Sequence, residues 1–196
     1  MNSHFSLLHF AQRLLMAVGC VMLVYAGSTV AYSGIYQRYQ SWKLDQQVAA
    51  PGVIKATILE APDLREGDVL GKLLIPRIGI SVIVLQGLET KTLILGAGHV
   101  PGTPLPGVEG NVVIAAHRDT FFRKVEGILP GDSIQFATPR GTWEYIVDSS
   151  ETVDPEDTRA MESRAREELT LITCYPFYFV GSAPKRFIVH ARPRGD

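Results

Sequence analysis

Two textures divide the chain. From Leu14 to Gln37 the run LLMAVGCVMLVYAGSTVAYSGIYQ carries no charged residue, and about 20 apolar residues are enough to cross a bilayer as a helix. Aromatic residues gather toward its C-terminal side (Tyr25, Tyr32 and Tyr36, then Tyr39 and Trp42), as an interfacial belt does. The pattern predicts a short tail over residues 1–13 and a transmembrane signal-anchor over 14–37. Small residues in AGSTVAYSG also fit a cleavage site, but a cleaved signal peptide has a shorter apolar core. Arg13 flanks one side and Arg38 and Lys43 the other, so flanking charge barely discriminates orientation. Residues 38–68 read as a linker, with helix continuing to about Val48 until Ala-Ala-Pro-Gly stops it.

From Val69 the pattern changes to short β-branched runs separated by Gly and Pro. Residues 69–76, 78–87, 110–117, 133–137, 142–150, 169–174 and 186–192 all read as strands. TWEYIV alternates like a strand with one wet face, and NVVIAA is apolar throughout, as in a strand buried on both sides. Helical character is limited to 92–98, a turn or two, and to the charged stretch 155–168, a surface helix or a long loop. Seven or eight short strands in one folded domain over 69–194 predict an all-β closed barrel or a sandwich.

Charge narrows the partners. Nineteen Lys and Arg against twenty Asp and Glu leave a net charge of −1. No basic field or acidic tail is present, so nucleic acid is not an expected partner. The two cysteines are Cys20, inside the apolar stretch, and Cys174. If residues 38–196 lie outside the cell, they hold one thiol and no internal disulfide. Cys174 is then either a small buried hydrophobe or a reactive group.

Three ionisable residues stand at strand ends. Cys174 closes LTLIT, and Pro176 turns the chain away. His117 closes NVVIAA, and Arg186 opens the last strand after the loop YFVGSAP. A thiol nucleophile, an imidazole that exchanges protons and a fixed cation suffice for acyl transfer through a thioester. Taken singly, each also fits a structural role. His99 lies in the Gly/Pro loop GAGHVPGTPLPG, either lining a cleft or facing solvent. The histidines are too scattered for a zinc site, and neither a phosphate-binding glycine loop nor a G-x-S-x-G motif occurs. No metal and no cofactor are expected. A hydrolysing cysteine peptidase and a catalytically idle binding barrel remain as alternatives to a transferase.

The stretches GHVPGTPLPGVEGNVVIAAHRDTFFRKVEGILPGDSI and LTLITCYPFYFVGSAPKRFIVHA resemble a sortase, most closely the class D kind. The resemblance covers about residues 69–192 and joins AAHRDTFF, TLITC and the downstream Arg in order. It implies a closed β-barrel of about eight strands, held outside the membrane as a single-pass protein. It implies Cys174 as nucleophile, His117 as general acid/base and Arg186 as the oxyanion and substrate cation. Thr173, and Asp119 beside His117, are the further candidates for shaping or binding substrate. The implied partners are proteins bearing an LPXTG-like sorting signal and an amine acceptor, either a peptidoglycan precursor or a pilin lysine. Residues 151–168 correspond to the variable segment that lines the signal groove in that family.

Overall fold

The computed structural model describes residues 2–49, 64–162 and 166–195; of residues 2–8 and 47–49 it describes the backbone alone. Eight strands form a closed barrel: β1 (Val69–Ile75), β2 (Ile80–Gln86), β3 (Ala97–His99), β4 (Asn111–Ala115), β5 (Ser133–Thr138), β6 (Gly141–Val153), β7 (Glu168–Tyr175) and β8 (Lys185–Pro193). They close in the order β1-β2-β3-β4-β7-β8-β6-β5. Of the two architectures open from the strand pattern, the barrel is the one formed. An interior of this width fills with side chains. Leu73, Ile75, Val84, Ile114, Phe136, Tyr145, Leu171 and Val189 are among those filling it.

One long helix, α1 (Asn2–Ala49), precedes the barrel, and a short one, α2 (Thr90–Leu95), follows β2. The continuous apolar run of β2 has a physical reason. Ile80, Val82 and Val84 point into the barrel, while Ile83 and Leu85 on the outer face are covered by Leu44 of α1 together with Tyr36 and Leu95. Gln37 ties the same contact, donating to the Leu95 carbonyl at 2.5 Å and accepting from the Ile83 amide at 2.9 Å. Asp45 pairs with Lys72. The expected linker over 38–68 therefore starts as docked helix, and its residues 50–63 lie outside the described residues.

One expected element differs, and a second takes one of its two alternatives, the loop. The helix expected over 92–98 is α2, which ends at Leu95; Gly96 is extended, and β3 then pairs in parallel with β2, Val84 opposite Ala97. A three-residue strand is too short to show a period. The stretch 155–168 holds only one 3-10 turn at Arg159–Met161 among its described residues. Asp157 accepts from the Arg159 backbone amide at 3.1 Å and from its guanidinium at 2.9 and 2.6 Å. Such local side-chain bonding competes with helix. Gly79, at φ 60°, makes the left-handed turn between β1 and β2 that a side chain would strain.

Candidate active site

Register brings the three strand-end residues to one level. β4 and β7 run parallel with Ala115 opposite Ile172, and the Ala116 amide donates to the Ile172 carbonyl at 3.1 Å. That contact carries the chain one residue past β4, toward His117 at the end of the barrel where β7 reaches Cys174. On the other side, β7 and β8 run antiparallel with Cys174 directly opposite Arg186. Neighbouring strands lie roughly 4.8 Å apart, so Cys174 and Arg186 are neighbours, and His117, two residues past the end of β4, follows on from the strand on the other side of β7.

Alternation decides which way each points. Leu169 and Leu171 belong to the core, so Thr173 also faces inward, and Thr170, Ile172 and Cys174 face outward. The outward row continues through Ile188 on β8 and through Val113 and Ala115 on β4, giving the thiol an apolar floor. Cys174 is partly exposed and His117 exposed.

Several contacts fix this row from beneath. The Thr173 hydroxyl, buried, donates to the Ala116 carbonyl at 2.7 Å, so both backbone groups of the residue before His117 are held by β7. The His117 carbonyl accepts the Phe122 amide at 3.1 Å, and the fully buried Phe122 ring pins that turn to the core. Tyr175, Phe177 and Phe187 cluster with ring centroids 5.4–6.2 Å apart, closing the barrel end under Cys174. Arg186 Nη1 donates to the carbonyls of Ala183 at 3.3 Å and Lys185 at 3.1 Å. It has no carboxylate partner among the described residues, so its charge is available to an anion.

Asp119 is exposed and makes no hydrogen bond or ion pair among the described residues. Its neighbour Arg118, which from the sequence could equally orient His117 or form a surface ion pair, makes a different contact. It donates to the carbonyls of Pro176 at 2.9 Å, Phe179 at 2.8 Å and Gly181 at 3.1 Å, clamping the β7–β8 loop to the turn that carries His117. Charge-assisted donors of this kind are the strong ones.

Further along the outer face, Thr170 donates to Asn111 Oδ1 at 2.8 Å, and Asn111 Nδ2 donates to the Ala160 carbonyl at 2.9 Å. That chain draws the β6–β7 segment over the sheet, where Glu151, Val153, Asp157, Arg159 and Ala160 line a cavity of 210 Å³. His190 lies with Nδ1 3.1 Å from Glu168 and Nε2 3.0 Å from Glu151; the Glu168 hydrogen bond raises its pKa against the opposing effect of burial. An apolar cavity of 170 Å³ beside Leu64, Phe136 and Trp143 sits near the β5–β6 turn and touches none of the row.

His99 neither lines a cleft nor faces solvent. It is buried, with Nδ1 2.7 Å from Gln86 Oε1 and Nε2 3.0 Å from the Pro104 carbonyl, and burial lowers its pKa. Among the described residues, no cluster of three or more His, Cys, Asp or Glu could hold a metal ion.

A thiol, an imidazole and an unpaired cation at one level suit covalent acyl transfer: attack by sulfur, proton exchange, and charge stabilisation on the opposite flank. The family model for the sortase domain matches residues 73–194. Sortase D of Bacillus subtilis is 35% identical over 127 residues, a match spanning 64% of this chain and 64% of that protein's length. Sortase A of Bacillus anthracis is 25% identical over 88% of this chain and 91% of that protein. The solved structure of a Clostridium perfringens Sortase D5 transpeptidase superposes with a TM-score of 0.62 at 26% identity, covering 68% of this chain and 83% of that one.

Proposed function

The chain belongs to the sortase family and is most similar to its class D members, and from that premise we propose that it is a membrane-anchored cysteine transpeptidase. The catalytic unit spans residues 69–194, and residues 14–37 of α1 anchor it with the barrel outside the cell and residues 1–13 inside. In its support, α1 is long and apolar enough to span a bilayer, and its most apolar stretch is not buried.

The observation that supports the reading is Cys174 opposite Arg186 on β7 and β8, with His117 two residues past the end of β4, the strand paired to β7 on its other side. In the first half-reaction the Cys174 sulfur, its proton passed to His117, attacks the carbonyl carbon of Thr in an LPXTG-like signal. Arg186 offsets the charge on the tetrahedral oxygen, which lies between it and the sulfur. The carbon–nitrogen bond breaks, His117 protonates the departing amine, and the acyl group stays on sulfur as a thioester. In the second, an acceptor amine gives a proton to His117 and attacks that thioester, a new amide forms, and the sulfur leaves. The acceptor is an envelope amine, on a peptidoglycan precursor or a pilin lysine.

Thr173 serves as a positioning residue through its bond to the Ala116 carbonyl, and Asp119, exposed beside His117, as a substrate contact. Residues 151–168 form the specificity wall, and their cavity lies along the same outer face as Cys174. Incubating the full chain with LPXTG- and LPXTA-type peptides, with and without an added amine, tests this reading. Amine-joined product after Thr is expected, absent from Cys174→Ala. Cleavage with no joined product at any amine concentration would favour a hydrolase instead.

A further inference from the structure

The docked part of α1 gives the barrel a direction relative to a bilayer. Gln37 bonds at Ile83, whereas Leu44 reaches Leu85 and Val69, which is Leu85's partner on β1. Going forward, α1 thus runs toward the C-terminal end of β2. Because Asp45 pairs with Lys72, opposite Ile83, the helix crosses the strands obliquely; going backward, toward Leu14, it heads for the end of the barrel at which β2 starts.

That end is the catalytic one. β2 is parallel to β3, β3 antiparallel to β4, and β4 parallel to β7. The start of β2 therefore shares an end of the barrel with the finish of β4 and β7, at His117 and Cys174. β8 begins there too, because Arg186 lies opposite Cys174.

This end also exposes the most concentrated apolar tip on the barrel. In the β7–β8 loop Tyr178, Phe179 and Val180 are 71%, 45% and 97% exposed, and Leu129, before β5, is exposed at the same end. The tip is held in shape. Besides Arg118's three carbonyl bonds, the Arg118 guanidinium lies 5.9 Å from the Phe179 ring centre and that of Arg123 lies 5.2 Å from the Tyr178 ring centre. Ordered aromatic and aliphatic side chains backed by two arginines suit a headgroup layer, where rings sit at the boundary and cations meet phosphates. Asp119 and Glu126 are exposed at this end as well, so the apolar tip, more than net charge, carries the contact.

Height agrees. The headgroup zone adds roughly 5–8 Å beyond the hydrocarbon on each side. A helix rises about 1.5 Å per residue, so Gln37, Tyr39 and Trp42 come within or just above that zone if the span ends near Ile35. Tyr39 and Trp42 are exposed side by side on α1, with ring centres 6.4 Å apart. A barrel bonded to Gln37 is then at the surface of the bilayer.

We propose that the catalytic end of the barrel faces the bilayer, with Tyr178, Phe179 and Val180 seated in the lipid headgroup layer. The active-site row would then open beside the membrane rather than away from it. This rests on α1 spanning the bilayer, as proposed above.

Nitroxide depth measurements on the full chain test it. With Cys20→Ser and Cys174→Ala as background, a single label is placed at Val180→Cys, Val108→Cys or Val24→Cys, in vesicles of phosphatidylcholine and phosphatidylglycerol. Val108 is the control, an exposed apolar residue (54%) in the β3–β4 loop at the opposite end. All three sites are exposed, so none of the substitutions disturbs packing. Expected is oxygen-dominated relaxation at Val24 and Val180, and relaxation dominated by a water-soluble nickel complex at Val108. Val180 in water while Val24 is in lipid would overturn the orientation and leave the anchor standing. Val24 in water would overturn both.

Discussion

The two faces of β7 differ in what they require. Leu169, Leu171 and Thr173 point inward, and each is enclosed by the side chains of the facing strands. Thr170, Ile172 and Cys174 point outward, and the last is left partly open between His117 and Arg186. On the proposed reading, a change on the inner face is expected to cost packing and a change at the end of the outer face to cost chemistry. Thr173 stands between the two regimes, since it is buried like a core residue yet bonded to the carbonyl that precedes His117. One residue of register separates a structural position from a reactive one.

Substitutions can break that comparison. Cys174→Ala is expected to lower amine-joining activity by about a thousandfold or more, while urea unfolding of the same variant moves by less than about 0.5 kcal/mol. A comparable loss of stability would place Cys174 in the core instead. His117→Ala should cost about 10²–10⁴-fold in the same assay, the range for a lost proton carrier. It should also remove one limb of the pH–rate profile, and a profile of unchanged shape would transfer the proton role elsewhere.

Leu171→Ala is the inner-face counterpart, expected to lose about 2–5 kcal/mol of stability in urea unfolding, with turnover of the folded fraction little changed. Thr173→Val keeps the shape but leaves the buried Ala116 carbonyl without its partner, an expected cost of about 1–3 kcal/mol. If the hydroxyl also sets the place of His117, kcat falls while KM holds, and restoring a hydroxyl with Thr173→Ser recovers most of it.

The smallest expected effect concerns His190, on the outer face away from the thiol. Its pKa is raised by Glu168 and Glu151, so the stabilisation is complete below the unfolded value of about 6.5 and is lost as pH rises through the folded value. Thermal unfolding of the full chain should therefore show a loss below about 1 kcal/mol between about pH 6 and pH 9, absent in His190→Gln. His99, whose pKa burial lowers, acts in the opposite sense, on acidification below about pH 6.5.

Seven of the eight strands are legible because each shows a β-branched apolar run or a strict alternation over five or more residues, with Gly, Pro or a charged residue close to its ends. β3 was not, since three residues between Gly96 and Val100 carry no period and are held only by pairing with β2 and β4. The stretch 155–168 is open between a surface helix and a long loop from its composition alone, and the Asp157–Arg159 pair favours the turn that is found. At the site, Cys174, His117 and Arg186 were visible as ionisable groups closing or opening strands. Their sharing one level depends on β4 and β7 lying side by side, a long-range pairing that sequence order does not reveal. Arg118 is legible only as a neighbour of His117 that could orient it, because its partners Pro176, Phe179 and Gly181 lie 58 to 63 residues away.

The most direct test of the central claim is the intact mass of the full chain after reaction with an LPXTG- or LPXTA-type peptide in the absence of amine. The account predicts an added mass equal to the peptide fragment ending at Thr, mapped to Cys174 and discharged on adding an amine. No adduct with any such peptide, or an adduct that persists in Cys174→Ala, would contradict it.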